Sequence, residues 1–156
     1  MNILIVEDSE TNRFLLEKTA VFLGFSADCA KDGGEALRCR MKKQYDLILL
    51  SLTLPDFDSY STAQALRQLE RSELGTATAA LICGLSRNCD IQVCKESVNN
   101  GMNCCAVTPT TTGQAIDLLV KMRTDSVKPR SGRPQKKAEN PDASCPDAYF
   151  RNASSY

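Results

Sequence analysis

Short apolar runs alternate with amphipathic segments from the start of the chain to about residue 123. The apolar runs have the length of buried strands and predict strands at about 2–6, 25–30, 47–51, 79–84 and 103–107. The amphipathic segments predict helices at about 10–22, 32–43, 60–72, 90–99 and from 112 onward. Gly24 and Gly101 each follow a predicted helix and are expected to end it.

The strict alternation of strands and helices, joined by short loops, determines the fold class. Such an order requires right-handed crossovers and a parallel sheet that is covered on both faces. We therefore predict an α/β, three-layer, flavodoxin-like fold. Its doubly wound parallel sheet would have five strands in the order 2-1-3-4-5, with five helices.

The third predicted strand carries a hydroxyl group at its end. A continuous apolar run precedes Ser51, and Pro55 cannot take part in a strand ladder, so the strand must stop close to Ser51. In open parallel sheets, ligands and chemistry lie at the carboxyl ends of the strands. The ends of the first, third, fourth and fifth strands converge there. The polar residues at these ends are Glu7, Asp8, Ser51, Ser86 and Thr108.

Charge and hydropathy exclude several classes of partner. Lysine plus arginine and aspartate plus glutamate both number 19, so the formal net charge is zero and favours neither nucleic acid nor an anionic membrane. No apolar run approaches the ~20 residues of a membrane span. Glu7 and Asp8 interrupt the first apolar run too early for a signal peptide. We therefore predict a cytoplasmic protein that binds neither nucleic acid nor membrane.

The composition changes after residue 123. Lysine, arginine, proline, serine and asparagine dominate residues 124–156, and such a segment buries little apolar surface. We predict a folded domain over residues 1–123 and a disordered, polar and basic tail over residues 124–156.

The chain has eight cysteines and no histidine. The lack of histidine excludes mixed Cys/His zinc sites, and nothing in the sequence indicates the secreted context that favours disulfides. Reduced, structural thiols are therefore expected. Four cysteines lie in strand-like runs and are predicted to serve as small hydrophobic residues. They are Cys29, Cys83, Cys104 and Cys105.

Several motifs, in order, resemble the receiver domains of response regulators, especially those attached to hybrid sensor kinases. The family's motifs match at the first strand and acidic loop, the start of the second helix, the third strand with its loop, the fourth strand and the two ends of the fifth strand. The matching segments are IVEDSETNR (5–13), GGEAL (33–37), YDLILLSLTLPDFDS (45–59), ICGLS (82–86), GMN (101–103) and TP (108–109).

The chain departs from the family pattern at the positions that carry its chemistry. The resemblance places the phosphoacceptor aspartate on Ser51, the phosphate-pairing lysine on Thr108 and the aromatic switch residue on Cys105. A serine hydroxyl is a weak nucleophile without an adjacent base. Of the family's functional residues the chain keeps Glu7, Asp8 and Ser86, and Ser59 replaces a loop glycine. With one of three carboxylates lost, Glu7 and Asp8 are expected to bind Mg²⁺ weakly at best, and no other cofactor is expected.

These departures predict a pseudo-receiver, a non-catalytic signalling module of two-component or phosphorelay type. The resemblance implies a protein partner, namely a sensor kinase, a phosphotransfer protein, a response regulator or a second copy of the chain. The implied binding face is that of the fourth helix, fifth strand and fifth helix. Two alternatives stay open: a working phosphorelay receiver that uses an atypical acceptor such as Ser51, and a remnant of a degraded hybrid kinase. Asp56 and Asp58, beyond Pro55, are expected to be scaffold residues and not substitute acceptors.

Other α/β functions fit poorly. An FMN-binding flavodoxin needs a glycine-rich phosphate loop after the first strand, where this chain has acidic residues that would repel a phosphate. A Ser-His-Asp hydrolase is excluded because the chain has no histidine.

Overall fold

Five strands and five helices alternate along the chain in the computed structural model, which describes residues 1–55, 58–72 and 79–127. The strands are β1 Asn2–Val6, β2 Ser26–Ala30, β3 Leu47–Ser51, β4 Leu81–Ser86 and β5 Cys104–Val107. The helices are α1 Glu10–Phe22, α2 Gly33–Lys42, α3 Ser59–Ser72, α4 Ile91–Asn99 and α5 Thr112–Val127.

The sheet is parallel throughout and has the order β2-β1-β3-β4-β5, which confirms the predicted flavodoxin-like fold. Every residue of the central strand β3 is buried, as its unbroken apolar run predicts. Alternate residues of the strands supply two cores. One core packs against α1 and α5, and the other packs against α2 and α3. No helix within the described ranges is both long enough and apolar enough to span a bilayer.

Local sequence signals begin and end most helices. Side-chain oxygens of Ser9, Asp32 and Asp90 accept backbone N–H groups in the first turns of α1, α2 and α4, so these residues are N-caps. Gly24 and Gly101 have φ values of 80° and 94°, in the left-handed region that glycine adopts without strain. The prediction that these glycines end helices is confirmed.

Two predicted boundaries are wrong. Strand β4 begins at Leu81 and not at residue 79, because the backbone of Ala80 is bonded to helix α3. The Ala80 N–H donates to Glu70, and the Ala80 carbonyl accepts from Arg67. Helix α5 continues to Val127, four residues past the boundary placed at residue 123, so residues 124–127 are helical. No proline lies between residues 110 and 128, so nothing in the local sequence breaks the helix there. The rest of the predicted tail lies outside the described residues, as does Asp56.

A buried polar network joins α3 to the start of β4 and to the turn before β5. The guanidinium of Arg67 donates to the carbonyls of Gly101 and Ala80 (both 2.8 Å), to Glu70 Oε2 (2.7 Å) and to Asn103 Oδ1 (2.6 Å). The side chains of Arg67 and Glu70 are only 14% and 7% exposed. A charge pair this buried depends on its full set of hydrogen bonds, which the network supplies.

A smaller polar cluster lies at one edge of the sheet. On edge strand β2, Asp28 Oδ2 accepts from Lys43 Nζ (2.8 Å) and from the Tyr45 hydroxyl (3.0 Å). The hydrogen bond from Lys43 is the main reason that the pKa of Asp28 lies below its ordinary value. The cluster ties the edge strand to the segment between α2 and β3.

Candidate functional site

The carboxyl ends of β1, β3, β4 and β5 meet at one edge of the sheet, as predicted. In the register of the strands, Val6 pairs with Leu50 and Ser51 pairs with Leu85. Glu7 therefore follows β1 directly beside the end of β3. At the other side of the edge, Ser86 pairs with Val107.

The acidic loop after β1 is fixed by Arg13 of α1. The guanidinium donates from Nη1 to the carbonyl of Glu7 (2.7 Å) and to that of Asp8 (3.2 Å). The Glu7 carboxylate accepts from the Ser9 N–H at 3.1 Å. Glu7 is buried and Asp8 is exposed, so the two adjacent carboxylates lie in different environments.

Burial is the main cause that raises the pKa of Glu7 to about 7. The neighbouring Asp8 raises it further by a hydrogen bond and by its charge, while the Ser9 N–H and the Arg13 cation act in the opposite direction. At neutral pH the Glu7 carboxyl therefore holds a proton far more readily than an exposed glutamate does.

This shift predicts a pH-dependent stability. In the unfolded chain Glu7 ionises near the ordinary pKa of 4.5, whereas burial raises its pKa in the folded protein to about 7. Between those values the folded protein holds the extra proton, so stability is lost as pH rises from about 4.5 to 7, by up to about 3 kcal/mol. Glu7→Gln is expected to abolish this loss. The measurement is urea unfolding at pH 5 and pH 8, in chelator, for both proteins; parallel changes in the two would contradict the assignment.

Ser51 ends β3 with its side chain buried, at 2% exposure. Its hydroxyl lies 3.1 Å from Thr53 Oγ1 and 3.4 Å from the Thr53 N–H, which donates to it. Its carbonyl accepts from the Ser59 hydroxyl at 2.7 Å. The hydroxyl of Ser51 is thus bonded to Thr53 and its carbonyl to Ser59, and the side chain carries no negative charge.

Ser59 has a structural role that the sequence did not indicate. The hydroxyl is buried and connects the first residue of α3 back to the end of β3. Asp58, one residue earlier, accepts the Thr62 N–H through its carbonyl and the Tyr60 N–H through its side chain. It therefore begins helix α3, in agreement with the expectation that it is a scaffold residue.

Ser86 and Thr108 are brought together at the ends of β4 and β5. The Thr108 N–H donates to the Ser86 carbonyl at 2.9 Å, and Thr108 is largely buried. The Ser86 hydroxyl donates to the carbonyl of Asn88 (3.1 Å) and accepts from its N–H (3.3 Å), a local turn in the loop before α4. Both side chains are neutral, so neither residue supplies a cation to this side of the edge.

Cys105 differs from the prediction. It is fully buried in β5, but it forms a disulfide with Cys89, so it is neither a reduced thiol nor only a small hydrophobic residue. The expectation of reduced thiols throughout is therefore wrong. The pairing was missed because the two residues are separated by helix α4 in sequence and only the fold brings them together. Cys83 and Cys104 are buried in the core, as predicted, and Cys29 packs against it half-buried.

Comparison with known proteins assigns the family. The sequence matches the response regulator receiver domain over residues 3–119. The chain belongs to this family. The fold agrees: the receiver of the yeast Saccharomyces cerevisiae response regulator Ssk1, solved with the phosphotransfer protein Ypd1, superposes with a TM-score of 0.69 at 24% identity, covering 78% of this chain and 86% of that one. A two-component response regulator from Clostridium difficile superposes with a TM-score of 0.70 at 20% identity, covering 85% and 99%.

The curated relatives of this receiver domain include much longer sensor kinases. Sensor protein EvgS of Escherichia coli O157:H7 is 33% identical over 111 residues, which cover 71% of this chain but only 9% of EvgS. Hybrid signal transduction histidine kinase B of Dictyostelium discoideum is 31% identical over 126 residues, covering 77% of this chain and 6% of that protein. The receiver domain thus spans less than a tenth of the length of these relatives.

The Mg²⁺ site that the family resemblance implies fits these residues poorly. A hard cation of this kind prefers several ionised oxygen ligands. Here Glu7 is buried with a raised pKa, Asp8 is exposed, and Ser51 adds only a neutral hydroxyl that is bonded to Thr53. The Arg13 cation also lies against the loop. We therefore derive no chemistry through Mg²⁺ for this chain.

Proposed function

We propose that this receiver domain is a pseudo-receiver that acts by binding a protein partner without accepting a phosphoryl group. The observation that carries the proposal is Ser51. A buried, neutral hydroxyl, bonded to Thr53, ends the central strand where a receiver needs an ionised carboxylate. Such a hydroxyl needs an adjacent base to attack a phosphoryl donor.

The other side of the edge supports the same proposal. Stabilising a transferred phosphoryl group requires positive charge near its oxygens. Thr108 supplies no charge, and the hydroxyl of Ser86 is bonded to the backbone of Asn88. In the structure Cys105, at the predicted switch position, is joined to Cys89. A residue fixed in this way is poorly suited to report a ligand by changing its conformation.

The face made by α4, β5 and α5 is our proposed docking surface. Each of its elements exposes one large aliphatic side chain: Ile91 on α4 (61% exposed), Val107 on β5 (47%) and Val120 on α5 (47%). Strand β5 is also an edge strand, so its outer side faces no other strand of the sheet. The proposed partner is another two-component protein: a histidine kinase, a phosphotransfer protein such as the one solved with the Ssk1 receiver, or a response regulator.

The deciding experiment is phosphorylation in vitro. We expect no gain of mass when the reduced and the oxidised protein are each incubated with a small-molecule phosphodonor and Mg²⁺. We also expect no amide shifts at Ser51, Ser86 and Thr108 when beryllofluoride is added. A gain of one phosphoryl group that Ser51→Ala abolishes would contradict the proposal and make Ser51 an atypical acceptor.

The docking surface has its own test. Ile91→Ser and Val120→Ser remove exposed aliphatic groups without opening the core. Met41→Ser is the matched control on a different face, because Met41 is 71% exposed on α2, which packs with α3 on the other side of the sheet from α5. We expect the first two variants, but not the third, to weaken binding to a purified two-component partner. If this chain binds none of these classes of partner, the result would support the alternative hypothesis that it is a remnant of a degraded hybrid kinase. Self-association that Ile91→Ser abolishes would instead identify a second copy of the chain as the occupant.

A further inference from the structure

Three cysteines converge beneath the loop between β4 and α4. Cys89 lies in that loop, Cys94 in the first turns of α4 and Cys105 in β5. Their three sulfur atoms all lie within 4.8 Å of one another. Cys89 is joined to Cys105, and its sulfur is 3.4 Å from that of Cys94. Within the described residues, this is the one cluster of three or more cysteine or acidic side chains that is compact enough to surround an ion.

We propose that this cluster is a metal site: when the Cys89–Cys105 disulfide is reduced, the three thiolates bind one thiophilic cation such as Zn²⁺. Zinc–sulfur bonds of about 2.3 Å in a tetrahedron place neighbouring sulfurs about 3.8 Å apart. The Cys89 and Cys94 sulfurs are 3.4 Å apart and all three sulfurs lie within 4.8 Å of one another, so small shifts bring them to that spacing once the disulfide is reduced. Sulfur ligands select such cations over Mg²⁺, so the site is chemically distinct from the acidic loop.

The surroundings hold the three sulfurs in place. The N-cap of α4 is Asp90, whose side chain accepts the Val93 N–H at 2.9 Å, and the Cys94 N–H donates to the Asp90 carbonyl at 3.0 Å. Cys94 is therefore fixed in the first full turn of the helix by its backbone hydrogen bond to the N-cap residue. Cys105 is fixed by its position in β5, paired with Gly84 of β4.

The cluster is enclosed on one side and open on the other. Cys94 and Cys105 are 3% and 0% exposed, whereas Cys89 is only half-buried. A cation can therefore reach the sulfurs from the loop that carries Cys89. Three protein ligands leave the fourth position of a tetrahedral ion to an external ligand, such as water.

The disulfide and the metal complex exclude each other, because both use the sulfurs of Cys89 and Cys105. Reduction must therefore come before metal binding. A water-soluble phosphine reduces the Cys89–Cys105 bond: the phosphine takes up the oxygen of one water molecule, and the two sulfurs take up its two protons. On binding Zn²⁺, the three thiols release three protons to solvent and form three zinc–sulfur bonds. The inference does not depend on the proposed pseudo-receiver function, because metal binding is measured without a phosphodonor or partner.

The test uses Co²⁺ as a spectroscopic probe of the full chain, reduced with phosphine in the absence of oxygen. We expect one Co²⁺ per chain, with thiolate-to-cobalt charge-transfer bands and the visible bands of a tetrahedral ion. One equivalent of Zn²⁺ should abolish them. Cys94→Ser and Cys89→Ser are each expected to weaken Co²⁺ binding by about 100-fold or more. Cys39→Ser, on α2 outside the cluster, is the matched control and should leave the spectrum unchanged.

Each other result would overturn the proposal. It fails if the reduced chain gives no thiolate–cobalt bands, if Cys89→Ser keeps them at full affinity, or if Cys39→Ser loses them. Cys89 lies in a loop and is half-buried, so the variant Cys89→Ser should fold even if Cys94→Ser, at a buried position, does not. Amide spectra of each variant without metal identify loss of fold separately from loss of ligand.

Discussion

Replacing Arg67 with alanine should lower the free energy of unfolding by about 3–5 kcal/mol. The substitution leaves the carboxylate of Glu70, which is 7% exposed, without its cation. It also removes donors from the carbonyls of Ala80 and Gly101 and from the side chain of Asn103. Breaking one partner of a buried pair costs more than the pair contributes, because the remaining charge stays out of water.

Urea unfolding of the two proteins at pH 7 measures this effect. Arg71→Ala, four residues later and exposed on the same helix, is the matched control and should change stability by less than about 0.5 kcal/mol. Arg67→Lys should recover only part of the loss, because a lysine cannot reproduce the planar, multiply bonded guanidinium. Equal losses in Arg67→Ala and Arg71→Ala would show that the network contributes little.

The double substitution Ser51→Asp with Thr108→Lys should convert this domain into a phosphoryl acceptor. The first change adds a carboxylate beside Glu7, since Ser51 follows Leu50, the register partner of Val6. Three carboxylates then form the oxygen site that Mg²⁺ requires. The second change places a cation at the end of β5 beside Ser86, where the phosphoryl oxygens would lie. We expect the phosphorylation rate with a small phosphodonor to rise on the order of 100-fold or more.

Intact mass with and without Mg²⁺ is the readout for this conversion. Ser51→Asn with Thr108→Lys has the same shape without the carboxylate and should gain no phosphoryl group. The single Ser51→Asp protein should be less stable than the natural sequence in chelator, because a buried charge is added beside Glu7, and should recover stability in Mg²⁺. A double variant that folds, binds Mg²⁺ and still gains no mass would show that the edge lacks receiver geometry.

The fold was readable from the sequence because each signal was local and strong. The unbroken run Leu47 to Leu50 had the length and flanking residues of a strand covered on both faces. Gly24 and Gly101 indicated helix ends through a backbone conformation that only glycine adopts freely. The start of β4 was placed too early because Ala80 has the apolar character of a strand residue. The backbone groups of Ala80 instead form hydrogen bonds with Arg67 and Glu70 of helix α3. No local sequence pattern predicts such contacts between distant residues.

For the candidate site, the sequence predicted which residues lie together at the strand ends but not the contacts that their side chains make. Glu7, Ser51, Ser86 and Thr108 follow strand ends, so topology alone brings them to one edge. Hydrogen bonds that depend on the length and orientation of a side chain could not be predicted from the sequence. Examples are the bond from Arg13 to the Glu7 carbonyl and the bond from Ser59 to the Ser51 carbonyl. The three-cysteine cluster was missed for the same reason: its members lie in three elements and have no recognisable spacing in the chain.

The polar cluster on β2 also bears on how the molecule behaves in a crowded solution. An open sheet edge is a template onto which another chain can add a strand, which is a route to fibrils. On β2 an incoming strand would meet Asp28 and Lys43 and would have to strip water from the ion pair. On the opposite edge, β5 has only four residues, too few for a long intermolecular ladder. Both edge strands therefore disfavour the addition of a strand from another chain, β2 because of its ion pair and β5 because it is short.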